Sequence, residues 1–168
     1  MLSRVLIVFF LSCLWVAPVT ALDTNANSKD VVRLYFEQII NRQQADLVPL
    51  LISEDFVHFN NGSRVGQTGP EAVLNAINEH ENANTDYAFQ LEAVYEADDK
   101  IIAQWSWKST NIKFGPPREV TADGISIFEF KDGKISKLWQ VFDVLGFMKQ
   151  LGFTLTPPPN PEEEQTAN

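Results

Sequence analysis

Residues 122–153 read ADGISIFEFKDGKISKLWQVFDVLGFMKQLGF. Two apolar-rich runs flank Lys131, Asp132 and Gly133, and an Asp-Gly pair between such runs marks a hairpin because both residues tolerate positive φ. The second run passes into a short helical pattern, residues 144–151, closed by Gly152. Strand, tight turn, strand and short helix therefore end the ordered part of the chain, and the rest is read outward from them.

Upstream, residues 87–97, 101–112 and 119–130 are long, rich in β-branched and aromatic side chains, and separated by turn residues. With residues 134–142 they predict a four-strand antiparallel meander, and long strands of this kind curl. Three amphipathic helices precede it. The first spans residues 29–41, with Ser28 as cap and Val32, Tyr35, Phe36, Ile39 and Ile40 on one face. The second is short, capped by Asp46, with Pro49 in its first turn, where the missing N–H costs little. The third starts at Thr68 and Glu71, which have capping-box spacing, and buries Val73, Leu74 and Ile77. Residues 54–60 read as one further short strand that turns out at Asn61 and Gly62. Helices with one apolar face must bury it against the sheet. The expected fold is α+β, a conical curved antiparallel sheet wrapped by three N-terminal helices, with a short C-terminal helix and a cavity beneath the sheet.

The flanks have other compositions. Residues 1–21 have the form of a secretory signal: Arg4 precedes a short apolar core, and Val19 and Ala21 are the small residues of a cleavage site. At about a dozen residues that core is shorter than the roughly 20 a spanning helix needs, so cleavage after Ala21 and a secreted or periplasmic protein are expected rather than a membrane anchor. Residues 22–28 form a polar leader, residues 29–153 one domain, and the Pro/Glu-rich residues 154–168 a disordered tail. Losing Arg4 takes 13 basic residues to 12 against 22 acidic, and the net charge from −9 to −10. That balance repels phosphate backbones and argues against nucleic acid. The single cysteine, Cys13, falls in the signal, leaving no disulfide and no thiol nucleophile. With two histidines and no ligand spacing, no metal site is expected, and no phosphate-loop or nucleotide fingerprint points to a cofactor.

Asp132, Gly133, Lys134 and Ile135, then Trp139, Asp143, Leu145, Gly146, Gln150, Leu151 and Gly152, form a closing motif. Asp55-Phe56-Val57, Gly66, Thr68-Gly69-Pro70-Glu71 and Gly115-Pro116-Pro117 precede it in order. In these motifs the chain resembles the SnoaL-like, polyketide-cyclase branch of the nuclear transport factor 2-like superfamily. The resemblance implies the helix-wrapped cone already read from the pattern. It also implies acid–base chemistry by a strand aspartate and a histidine during ring closure of a polyketide-like molecule, without a metal. Carried over the Asp-Gly-Lys turn, the aspartate falls on Gln140 and the histidine on Ser126. An amide does not titrate in the accessible range, and a serine without an activator is a poor base. The family mechanism therefore does not transfer to these residues, although both can hydrogen-bond a ligand. The loop at residues 111–118 is also short for the family.

Two titratable side chains remain as catalytic candidates. His58, on the first strand, has the chemistry of a general base near neutral pH, or of a hydrogen-bonded rim residue. Asp143 stands at the junction where the last helix needs an N-cap, and by strand parity it shares a face with Trp139 and Val141 rather than Gln140. His80, near the end of the third helix, is expected to be solvated. Trp105 and Trp107 share one face of their strand with Ala103 and Ser109. With Tyr35, Phe36, Phe59 and Trp139 they either line a pocket for a flat apolar ligand or simply fill the core.

Three functions follow. The first is a cavity binding a small, largely apolar molecule, with Tyr35, His58, Trp105, Trp107, Ser126 and Gln140 as contacts. The second is a cofactor-free enzyme using another proton-transfer pair, His58 with Asp143. The third is an association module that pairs through the sheet as a homodimer.

Overall fold

The computed structural model describes residues 27–156. The signal, most of the leader and the tail beyond residue 156 lie outside the described residues. Helix α1 (Ser28–Leu34) continues into a π-helical turn, Tyr35–Ile40, in which Asn41 N donates to the Phe36 carbonyl five residues back at 3.0 Å. A 3₁₀ turn (Ala45–Leu47) leads into α2 (Val48–Leu51), then β1 (Ile52–Asn60), β2 (Ser63–Thr68) and α3 (Pro70–Ala83). The meander follows as β3 (Asn84–Ala97), β4 (Lys100–Asn111), β5 (Arg118–Lys131) and β6 (Lys134–Phe142), and α4 (Val144–Gln150) closes the domain. None of the helices in the described residues is long and apolar enough to cross a membrane.

The four meander strands lie within three residues of their expected ends. The complete sheet is six-stranded and curved, in the order β2-β1-β6-β5-β4-β3. It is mixed rather than wholly antiparallel, because β1 runs parallel to β6. Parallel neighbours need a long crossover, and here β2, α3 and the first three meander strands provide it. Strand β2 was not expected: it is exposed along nearly its whole length, so no apolar alternation announces it.

Three helix starts differ from expectation. Asn27, not Ser28, caps α1, its Oδ1 accepting from Lys29 N at 3.1 Å. Asp46 lies inside the 3₁₀ turn, and α2 has no side-chain cap, while Pro49 sits in its first turn as read. Thr68 ends β2 opposite Val57, so no capping box forms; the cap is Gly69, at φ 69°. A Cβ at Gly69 would meet the Glu54 carbonyl oxygen, so only glycine fits that turn.

The concave side of the sheet packs on the helices. Val32, Phe36, Ile39, Leu51 and Ala72 from the helices meet Phe56, Ala103, Phe128, Ile135 and Leu138 from the sheet. Fully burying one such aliphatic or aromatic side chain stabilises the fold by about 1.5–3 kcal/mol. Phe36 and Phe128 meet edge to face, 6.0 Å between ring centres, so Phe36 belongs to the core. The free edge of β3 is covered at one point: Asn41 donates to the Phe89 carbonyl (2.7 Å) and accepts from Phe89 N (2.8 Å).

Candidate functional site

The sheet's register places polar groups side by side on its concave face. Asn60 of β1 neighbours Gln140 of β6, which faces Ser126 of β5, which faces Ala103 of β4. His58 lies two residues before Asn60, beside Leu138. On β4 the inward residues Ala103, Trp105, Trp107 and Ser109 alternate with Gln104, Ser106 and Lys108, as the sequence pattern required. Trp105 lies opposite Gly124, and its indole covers the space a Cβ would take there. This close approach lets Trp105 Nε1 donate to Ser126 Oγ at 3.0 Å, with both side chains buried.

Above this row lies a cleft of two adjoining parts. The inner part, about 210 Å³, is walled chiefly by Phe89, Trp105, Trp107, Phe142 and Phe147. The wider part, about 590 Å³, extends past Tyr35, His58 and Tyr87 to the loop residues Lys113 and Phe114. Asn60, His80, Asn84 and Gln140 border both. Under the loop, Asn84 Oδ1 accepts from Ser109 Oγ and Asn111 Nδ2, each at 3.1 Å, and Asn111 Oδ1 accepts from Lys113 N and Phe114 N. This buried amide network fixes the end of α3 to β4 and shapes the loop beside the cleft.

Burial sets the electrostatics. It pushes the His58 imidazole down from 6.5 to about 4 and lowers His80 as well, so both rings are neutral at pH 7. It raises the Tyr35 phenol, which stays protonated. Glu79, an exposed residue, is the one carboxylate among the described lining residues. Three buried side-chain atoms in the described residues have no hydrogen-bond partner: His58 Nε2, His80 Nδ1 and Trp107 Nε1. All three belong to residues of this cleft.

The candidates read from the sequence thus separate. Tyr35, His58, Trp105, Trp107 and Gln140 all line the cleft. Ser126 lies behind the wall, fully buried and bonded to Trp105. Asp143 is exposed, and its Oδ1 accepts from Gly146 N at 2.8 Å as the N-cap of α4. The structure does not join it to His58, whose Nε2 is unpartnered. Phe59 and Trp139 do not line the cleft: they stack on each other at 3.9 Å, and Trp139 is exposed with Val141 on the outer side of the sheet. His80 is the reverse case. Expected to be solvated, it lies among Tyr87, Phe89 and Trp107. Its signal was present, since Val73, Ile77 and His80 recur at i, i+4 and i+7 on one helix face. Among the described residues no group of three His, Cys, Asp or Glu is placed to hold a metal ion.

Comparison with known proteins agrees with this architecture. The chain superposes on TsrD from Streptomyces laurentii with a TM-score of 0.65 at 22% identity, covering 79% of this chain and 98% of that one. Wild-type IdmH from Streptomyces antibioticus, described as a candidate polyketide cyclase, gives 0.65 at 16% identity, with 76% and 99% covered. A candidate SnoaL-like polyketide cyclase from Shewanella putrefaciens CN-32 gives 0.65 at 12%, with 76% and 97% covered. At such identities the likeness is one of fold. No curated protein matches the chain. The sequence profile of SnoaL-like polyketide cyclases, however, matches residues 29–151, nearly the whole described domain. Helix-wrapped cone, closing hairpin and profile agree, and the chain belongs to the SnoaL-like polyketide cyclase family.

Proposed function

We propose that this is an exported SnoaL-like domain that holds a small, largely apolar molecule in the cleft, and that its family acid–base pair has been replaced by Ser126 and Gln140. One observation carries the reading: the cleft joins an inner part of about 210 Å³ walled by Phe89, Trp105, Trp107, Phe142 and Phe147 to a wider part of about 590 Å³, with the amides of Asn60, Asn84 and Gln140 bordering both. A concave, largely apolar space with a few polar groups on its rim is the usual form of a small-molecule site. Loss of the pair is supported by chemistry at both positions. Ser126 Oγ already accepts from Trp105 in a buried site, and the Gln140 amide does not titrate.

The second reading, a cofactor-free enzyme, is favoured by one feature, the unpartnered His58 Nε2 beside the cleft. Its drawback is basicity: an imidazole held near 4 is a weak base at neutral pH. Native mass spectrometry on protein purified from its own host tests the binding reading. A co-purifying small molecule, released on denaturation, is the expected result. An empty protein that also takes up no aromatic probe would overturn it. Conversion of the co-purified molecule by the wild type, lost in His58→Ala with the fold intact, would replace it with the enzymatic reading.

A further inference from the structure

Asn60 and Gln140 stand side by side where β1 runs parallel to β6, and adjacent strands lie about 4.8 Å apart. Both are half-buried, and both border the inner and the wider part of the cleft. A chain of hydrogen bonds sets the orientation of the first. Phe142 N donates to Asn61 Oδ1 at 3.1 Å, which turns the Asn61 amide so that its Nδ2 donates to Asn60 Oδ1 at 2.7 Å. Asn61 N also donates to the Gln140 carbonyl at 2.8 Å, tying this turn to β6. With its oxygen engaged, Asn60 keeps Nδ2 as its free group. A donor of fixed orientation thus borders the cleft.

Gln140 is held differently, because its side-chain amide has no hydrogen-bond partner among the described residues. Neither of its amide atoms, nor Asn60 Nδ2, is among the described atoms sealed from solvent without a partner, so all three are accessible where these residues border the cleft. Beside a fixed N–H, a free carboxamide settles with its oxygen on the same side, since two N–H dipoles side by side repel. The two positions therefore present a donor next to an acceptor. That edge complements a cyclic secondary amide, whose carbonyl accepts from Asn60 Nδ2 while its N–H donates to Gln140 Oε1. A ketone or lactone uses the Asn60 donor and leaves Gln140 unpaired, a cost for a group that loses its water on binding. A carboxylate meets no cation at the pair, and Lys113 at the loop is the one Lys or Arg among the described lining residues.

We propose that Asn60 and Gln140 form a carboxamide pair that recognises the lactam edge of a flat aromatic molecule seated against the inner wall. This deepens the binding reading above and rests on it. The pair is specificity-determining: the aromatic wall supplies affinity for any flat apolar body, and the two carboxamides select one that carries a carbonyl beside an N–H.

The test titrates the protein by calorimetry with 2-quinolone, N-methyl-2-quinolone, the lactone coumarin and naphthalene. Coumarin has the two-ring shape of 2-quinolone with a ring oxygen in place of the N–H, and the N-methyl compound lacks that donor too. 2-Quinolone should bind more tightly than either by about tenfold. Gln140→Leu should erase this advantage and leave coumarin affinity within about twofold, whereas Gln140→Glu, which keeps an acceptor oxygen, should retain it. Asn60→Leu should weaken 2-quinolone and coumarin alike, by about fivefold, and leave naphthalene within about twofold. Should a variant fail to fold, the wild-type affinity ratios decide alone. No preference for 2-quinolone over its two analogues, or a preference that survives Gln140→Leu, overturns the pair, and binding of naphthalene then leaves the cleft reading standing. Absence of binding by all four probes overturns both.

Discussion

Trp105 Nε1 donates a 3.0 Å hydrogen bond to Ser126 Oγ across the β4–β5 ladder, with both side chains buried. The position that carries a histidine by family resemblance is therefore filled by a hydroxyl that satisfies a neighbouring indole. Ser126→Ala should cost about 1–3 kcal/mol, because it leaves a buried N–H unpaired. Combined with Trp105→Phe, the loss should be less than the sum of the single losses, by about 1 kcal/mol. Urea unfolding of the four proteins checks this; strict additivity would mean that the bond contributes nothing.

Gly124 should tolerate no side chain. A Cβ there would overlap the benzene ring of the Trp105 indole. Displacing that ring strains the core, so Gly124→Val should destabilise by about 1–3 kcal/mol and alter near-ultraviolet circular dichroism. An unchanged melting curve and spectrum would show that Trp105 has room to move.

Asp143 separates capping from catalysis through a pair of substitutions. Asp143→Ala should cost about 1 kcal/mol, because Gly146 N loses its acceptor, whereas Asp143→Asn should retain most of the stability. Thermal denaturation reads the difference. Equal loss in the two variants would remove the capping role.

The buried histidines give stability a defined pH dependence. His58 falls from 6.5 to about 4 in the folded protein, and His80 shifts the same way. The unfolded chain therefore binds more protons than the folded one, and stability drops as pH falls from 6.5 toward 4. For His58 alone the loss is about 3 kcal/mol. Asp55, whose carboxylate is held below its usual range by Lys131 and then Ser53, acts only below pH 3.8. Urea unfolding between pH 7 and 4.5 thus isolates the histidines. His58→Leu should flatten the profile in part, leaving the contribution of His80. A wild-type profile level down to pH 4.5 would mean that neither ring is desolvated.

Much of the fold was legible because its signals are local. The alternation of Ala103, Trp105, Trp107 and Ser109 with Gln104, Ser106 and Lys108 identifies a half-buried strand without reference to any other part of the chain. Asp132-Gly133 names its own turn, and Asp143 followed by Gly146 names its own cap. Strand β2 was illegible for the opposite reason, since its exposed side chains carry no pattern and only pairing with β1 makes it a strand.

What the amino-acid order determines by itself is the meander, the helical faces, the inward set on β4 and the cap at Asp143. Each depends on residues within about one turn or one hairpin. What the tertiary structure decides is which side chains share a space. The parallel pairing of β1 with β6 brings Asn60 beside Gln140, 80 positions later in the chain. Packing of Tyr87 and Trp107 around His80 turns a helix-end histidine into a wall of the cleft. Stacking of Phe59 on Trp139 takes two aromatics to the outer face. Such placements depend on contacts between elements far apart in sequence, and burial of the polar atoms follows from them. The chemistry of the cleft therefore becomes visible only when the sheet has closed over the helices.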